Sequence, residues 1–158
     1  MSESVNELLN TSLANREILS KYLDEFTLVN LFKIPEGYNN NIIWQIGHMI
    51  GVQQQLVYGL SGLSLMVNED FMKRYGRGSV PEEIIDENAV DEIKSLLMVT
   101  LMKTKEDLSK NMFKNYKPFN TAIGMELKNV EDAIKFNNFH DKIHLERIQA
   151  LVGAIESS

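Results

Sequence analysis

Cysteine is missing from this chain of 158 residues, and proline is scarce. Without a thiol the protein has no disulfide, no thiolate metal site and no cysteine nucleophile. Three prolines and nine glycines are few for an all-β protein, which needs many turns, so we expect a largely helical chain. The hydrophobic share of 44% and the charged share of 24% are those of ordinary globular proteins, which disfavours disordered and fibrous classes.

An excess of positive charge and long apolar runs are also missing. The net charge of -6 disfavours non-specific nucleic-acid binding, because phosphates would meet a surface of like charge. No apolar run approaches the length of a membrane-spanning helix. The start, Met1 to Ser4, has no basic region followed by an apolar one, so no signal peptide is predicted. These absences predict a cytoplasmic protein without a membrane or nucleic-acid partner.

Apolar residues recur three or four positions apart in four stretches, which predicts four amphipathic helices. Their approximate ranges are residues 4–28, 41–60, 88–115 and 127–155. A chain of this length normally builds one core, so we expect a single domain over residues 1–158, folded as an all-α four-helix bundle. The connection over residues 63–87 is long for a bundle, which indicates that it has a function of its own or crosses over the bundle.

The chain has only three histidines, and all are expected to point inward. His140 and His144 are four residues apart, so they lie one turn apart on one face of the fourth helix. That face is otherwise apolar and includes Ala133, Phe136, Ile143, Ile148 and Leu151. On the second helix, His48 shares its face with Trp44, Val52 and Leu56.

Three inward imidazoles are costly to bury unless their nitrogens find partners. One divalent metal ion, such as zinc or nickel, would satisfy all three and leave a fourth ligand position open, as in catalytic zinc sites. The alternative is an ordinary hydrogen-bonded polar network. A carboxylate such as Glu146 stays open as a fourth ligand, which would close the site.

Two other chemistries of helical metal sites are not indicated. Di-iron carboxylate bundles need Glu three residues before His, but Gln45, Asn137 and Asp141 occupy those positions. The zincin motif His-Glu-x-x-His is missing, because Asp141 follows His140 and no Glu lies between the pair. A hydrolase with an adjacent carboxylate base is therefore not predicted.

Two segments make the sequence resemble the DinB-like superfamily, the DNA-damage-inducible-type bundles that include bacterial thiol-dependent S-transferases. The segments are Asn40-Asn41-Ile42-Ile43-Trp44-Gln45-Ile46-Gly47-His48-Met49 and Phe139-His140-Asp141-Lys142-Ile143-His144-Leu145. The resemblance implies that His48, His140 and His144 bind a metal. It also implies an up-down-down-up bundle with residues 63–87 as the crossover between the second and third helices.

The resemblance further implies an activity, because characterised relatives use the metal to activate a thiol such as bacillithiol or mycothiol. A small-molecule thiol and an electrophile are therefore the expected partners, and the thiol must be external because the chain has no cysteine. Whether the protein is an enzyme stays open. The alternative is a non-catalytic, stress-associated bundle whose metal mainly fixes the core.

Four polar or aromatic residues on the core stripes are candidates for the pocket or for contacts behind the ligands. Arg16 and Arg147 either extend their charge to solvent past an apolar stem or anchor a carboxylate near the metal. Trp44 is either core or pocket lining, and Asn137 is a candidate partner of the histidine pair. Phe71 and Tyr75 in the crossover are candidates to cover the pocket mouth.

The second helix is apolar almost all round. Opposite His48 lies a stripe of Ile43, Ile46, Ile50 and Val57, and the third helix adds Met98 and Met102. An exposed apolar stripe usually marks an interface, so a homodimer is predicted. Burial of the stripe beneath the crossover is the alternative.

Overall fold

Helices make up most of the computed structural model, which describes residues 3–157. In chain order the elements are α1 (Glu3–Glu25), α2 (Leu28–Phe32), α3 (Ile42–Val57), a 3₁₀ turn (Gly59–Ser61), α4 (Glu69–Tyr75), α5 (Glu87–Leu97), α6 (Val99–Ser109), β1 (Phe119–Asn120), β2 (Glu126–Leu127) and α7 (Val130–Glu156). The two strands form one antiparallel hairpin.

Asparagine and aspartate side chains fix where the main helices begin. Asn41 Oδ1 accepts a hydrogen bond from the Trp44 amide at 2.8 Å at the start of α3. Asn129 caps α7 in the same way, and Asp86 caps α5. Such caps satisfy amides that have no partner within the helix, so the predicted start of α3 at Asn41 has a local cause.

Four helical positions surround the core, which confirms the predicted all-α bundle. Helix α7 packs against α1 and α3, and both of these also pack against α5. Lys105 bonds to Asn10, and Lys94 pairs with Asp24, so α5 and α6 run opposite to α1. An up-down-down-up bundle requires the first and third helical positions to be antiparallel in this way. The complete up-down-down-up order stays a prediction.

The third helical position is broken at Met98 into α5 and α6, where the sequence predicts one helix. The Arg16 guanidinium of α1 lies at this break and donates to the Leu97 carbonyl at 2.6 Å and to the Thr100 hydroxyl at 2.8 Å. A side chain that inserts into a helical hydrogen-bond ladder is a common cause of such breaks.

The same helical position also ends earlier than the predicted Asn115. Helix α6 ends at Ser109, and Asn111 has a φ of 55°. This left-handed conformation terminates helices and is tolerated best by glycine and asparagine. The segment that follows forms the hairpin, so Leu127 lies in a strand and not in the fourth helix.

The prediction that this stripe of the second helix is an exposed dimer surface is wrong, because the stripe is buried. Ile43, Ile46, Ile50 and Val57 are each at most 2% exposed. The three isoleucines share one hydrophobic cluster with residues of α4 and α5, such as Phe71 and Ile93. The crossover helix α4 covers this face of α3 together with helix α5, so burial beneath the crossover, the alternative interpretation, accounts for part of the stripe. Met102 stays exposed.

Among the helices of residues 3–157, none combines the length and apolar character needed to cross a membrane. Met1, Ser2 and Ser158 lie outside the described residues. The expectation of no signal peptide rests partly on those first residues and stays a prediction, as does the single domain over residues 1–158.

Candidate metal centre

The three histidines converge at the contact between α3 and α7. One ring nitrogen from each of His48, His140 and His144 lies within 4.8 Å of the other two. The ring centroids of His48 and His144 are 4.8 Å apart, and those of His140 and His144 are 4.3 Å apart. The structure therefore brings together the cluster that the helical spacing predicts, and this cluster can hold a metal ion.

Two hydrogen bonds determine which ring nitrogens are available to a metal. His48 Nδ1 lies 2.8 Å from the Tyr75 carbonyl, and His144 Nδ1 lies 2.6 Å from Gln45 Oε1. Each oxygen is an acceptor, so each Nδ1 carries the proton and donates it. The Nε2 atoms of His48 and His144 then present lone pairs, as metal-binding imidazoles do.

The position of the third ring, that of His140, also suits metal binding. His140 Nε2 lies 3.1 Å from His144 Nε2. His140 Nδ1 is buried without a hydrogen-bond partner among the described residues, and a metal at Nε2 would not change that. Two nitrogens bound at about 2.0–2.1 Å to one tetrahedral ion lie about 3.3 Å apart. The observed separation is close to that value, so the donor set and its spacing suit a divalent metal ion.

Burial keeps these rings neutral, which is the form that binds metals. Burial first, and then the neighbouring rings and Arg147, lower the pKa of His140 to about 4 and that of His144 to about 3. The pKa of His48 is also lowered by burial, against the effect of the Tyr75 carbonyl. At neutral pH protons therefore compete weakly with a metal for this site.

No carboxylate joins the three histidines in the described part of the chain. Glu146, left open as a fourth ligand, is exposed and is not among the residues that line the adjoining cavity. Three neutral ligands would leave most of an ion's positive charge uncompensated and one coordination position free of protein.

A cavity of about 570 Å³ adjoins the cluster and contains all three histidines in its wall. This volume lies in the range of small-molecule sites. Trp44 lines the cavity, and its ring stacks on His48 at 4.7 Å. Its Nε1 donates to the Ser79 hydroxyl of the crossover at 2.8 Å, which fixes the ring. Trp44 is thus both buried and part of the pocket wall.

The crossover contributes one of the two aromatic residues suggested for the pocket mouth. Tyr75 lines the cavity, whereas Phe71 is buried behind it with ring centroids 4.6 Å apart. The Tyr75 ring packs directly on the backbone of α3 at Gly47, where an added Cβ would lie 2.5 Å from the ring. This close approach places the Tyr75 carbonyl against His48.

The other three residues that the sequence suggests for the site differ in their position relative to the cavity. Arg147 lines the cavity. Asn137 is buried, and its amide bonds to Asp141 Oδ2 at 3.4 Å rather than to a histidine. Arg16 is fully buried, so it neither reaches solvent nor lines the cavity, and both interpretations of this residue were wrong.

Sequence reasoning missed the residues that reach the site from far along the chain. Gln45 lies one turn before His48 and so on the same helix face, but the sequence gives no sign that it contacts His144. Arg77 and the hairpin residues Phe119 and Ile123 also line the cavity. Their segments have no helical period, so no sequence signal connected them with the histidines.

The sequence matches a known protein family. A sequence model described as the DinB superfamily matches residues 13–148, a range that includes all three histidines. No curated protein matches the chain.

Proposed function

Because this chain belongs to the DinB superfamily, we propose that it is a metal-dependent enzyme that activates a low-molecular-weight thiol for transfer to a small electrophile. One divalent ion, zinc, nickel or similar, is held by the Nε2 atoms of His48, His140 and His144. The observation that carries the proposal is their convergence at the wall of a cavity, with no carboxylate among them.

An ion held by the three histidines would supply positive charge that lowers the pKa of a nearby thiol and favours its thiolate form at neutral pH. The protein holds the ligands in place for this chemistry, because Gln45 Oε1 and the Tyr75 carbonyl orient the rings of His144 and His48. In the transfer, the thiolate sulfur forms a bond to the electrophilic carbon. The leaving group departs with the bonding electron pair, and the thiol proton passes to water.

The cavity wall supports a reaction between small molecules. Its apolar side chains include Val52, Leu56 and Phe136, which exclude water from a bound thiolate. The chain has no cysteine of its own, so the sulfur must come from a cosubstrate.

The test is metal analysis of the purified protein, followed by conjugation of bacterial thiols to an electrophile. Wild type, metal-stripped protein and His144→Ala are compared, with circular dichroism to confirm folding. We expect activity from the metal-loaded wild type alone. Equal rates in all three would contradict metal activation, and no rate with any thiol would favour the structural bundle.

Two finer expectations rest on the sequence and are part of this proposal. The compartment is the cytoplasm, which fits the lack of cysteine. The assembly is a homodimer, but it must use a surface other than the buried isoleucine stripe.

A further inference from the structure

Positive charge is concentrated around the cavity in a chain that is acidic as a whole. The chain carries 22 acidic and 16 basic residues, yet the residues that line the cavity include Arg77 and Arg147 and neither an aspartate nor a glutamate. Arg77 lies in the crossover just after α4, and Arg147 lies in α7. This lining repels cations and attracts an anion.

Both guanidinium groups are available to a ligand. Neither arginine takes part in the hydrogen bonds or ion pairs found among residues 3–157, whereas nearby Arg74 is engaged by Glu82 and Asp86. Arg77 and Arg147 are both exposed and line the cavity. Arginine donates two parallel hydrogen bonds to a carboxylate, which fixes both its position and its orientation.

Part of the cavity lining is apolar and exposed. Phe119 and Ile123 of the hairpin region and Phe139 of α7 line the cavity and are 44%, 62% and 47% exposed. Three large apolar side chains and two unpaired arginines line the same cavity. This combination suits a ligand with an apolar body and one anionic end.

We propose that the cavity binds a carboxylate-bearing small molecule, with the carboxylate held between Arg77 and Arg147 and the apolar body against the wall of Phe119, Ile123 and Phe139. This inference rests on the proposed function in one respect, since it names the chemical class of one cosubstrate of that reaction. The binding itself needs no metal, because arginine side chains supply the anion contacts.

The chain contains a reporter for this test, since Trp44 is its only tryptophan and lines the cavity. Metal-free protein is titrated with 4-phenylbutyrate and with 4-phenylbutanamide, which share the apolar body and differ in charge. Binding is measured by Trp44 fluorescence and by calorimetry. We expect the carboxylate to bind about tenfold more tightly than the amide, the usual effect of charge-assisted hydrogen bonds.

Arg77→Gln and Arg147→Gln should each weaken carboxylate binding about tenfold and leave amide binding unchanged. Lys135→Gln is the matched control, because it removes one positive charge from an exposed site on α7 that does not line the cavity. It should bind the carboxylate like wild type. Equal affinity for acid and amide in the wild type would overturn the inference without use of any variant, as would equal weakening by Lys135→Gln.

Zinc and nickel titrations of the same metal-free protein separate this inference from the proposed function. Carboxylate binding without metal binding would contradict the metal-dependent reaction and support the arginine site. Metal binding with no preference for the carboxylate would overturn the arginine site and leave the metal proposal standing.

Discussion

Gln45 Oε1 lies 2.6 Å from His144 Nδ1, although the two residues are 99 positions apart in the chain. The contact joins α3 to α7 at the histidine cluster and is buried at both ends. Because Gln45 is one turn before His48, a single face of α3 supplies one histidine to the cluster and orients another.

Loss of this hydrogen bond should weaken metal binding. Gln45→Ala leaves His144 free to rotate and to change tautomer, so we expect zinc affinity to fall about 10–100-fold. Gln45→Glu keeps an acceptor oxygen at the same place and should retain most of the affinity. Competition titration with a metallochromic chelator measures both.

Gln55→Ala is the matched control for that experiment. Gln55 lies on the same helix and lines the same cavity but bonds to none of the three histidines among the described residues. Its affinity for zinc should equal that of wild type. Equal losses in Gln45→Ala and Gln55→Ala would show that Gln45 does not position His144.

The acid stability of the metal-free protein should reflect the buried histidines. Their pKa values are near 6.5 in the unfolded chain but about 4 for His140 and about 3 for His144 in the fold. As pH falls below 6.5 the unfolded state binds protons first, so this part of the stability is complete above pH 6.5 and is lost towards pH 3. Urea unfolding between pH 7.5 and 4.5 measures the slope.

A histidine variant supplies the comparison. His144→Gln removes one titrating ring, so its free energy of unfolding should fall less steeply with decreasing pH than that of wild type. Asp141 acts in the opposite sense, because burial raises its pKa to about 6 and favours the fold at low pH. A wild-type slope equal to that of His144→Gln would contradict neutral burial of His144.

The helical period predicted the bundle well because burial of an apolar stripe is a local property of each helix. It missed the break at Met98 because the cause, the guanidinium of Arg16, comes from another helix. It also placed the stripe that contains Ile46 on the surface. The period of α3 alone does not report that α4 and α5 cover its second face.

The site likewise has features that follow from local sequence spacing and features that depend on tertiary packing. The spacing of His140 and His144 is local, so a sequence argument finds the pair and its face. The Tyr75 carbonyl and Arg77 reach the site through the crossover, whose path depends on tertiary packing. Residues of this second kind need coordinates to be found.

Gly47 should be sensitive to substitution because the Tyr75 ring occupies the space of a side chain. A Cβ at this position would lie 2.5 Å from the ring, so Gly47→Ala must displace Tyr75 and with it the carbonyl that holds His48. We expect a loss of about 1–3 kcal/mol in stability, typical of overpacking, and weaker zinc binding. Thermal unfolding and metal titration measure the two effects.

Gly153→Ala is the control for the glycine prediction. Gly153 lies in α7, and beyond its chain neighbours and the backbone of its own helix no atom lies within 4 Å of an added Cβ. The substitution should raise stability by about 0.5–1 kcal/mol, because alanine is the better helix former. A neutral or stabilising Gly47→Ala with unchanged zinc affinity would mean that Tyr75 does not need this close contact.

Arg16 and Asp141 carry opposite charges in the core and are both fully buried, but among residues 3–157 they form no ion pair or hydrogen bond with each other. Burial lowers the pKa of Arg16 and raises that of Asp141, while the attraction between them opposes both shifts. Arg16→Met keeps the apolar stem and removes the charge, so Asp141 loses its compensating cation. The substitution also removes the hydrogen bonds to the Leu97 carbonyl and the Thr100 hydroxyl, so we expect a loss of about 1–3 kcal/mol at pH 7.5.

A double-mutant cycle checks the coupling. Asp141→Asn keeps the shape of the side chain without its charge, so the pair Arg16→Met/Asp141→Asn should cost less than the sum of the single changes. At pH 5, below the pKa of about 6, Asp141 is largely neutral in the fold and the penalty of Arg16→Met should shrink. Additive losses that do not change between the two pH values would mean that the charges do not interact. Since Arg16 does not line the cavity, zinc affinity of the folded variants should stay at the wild-type value.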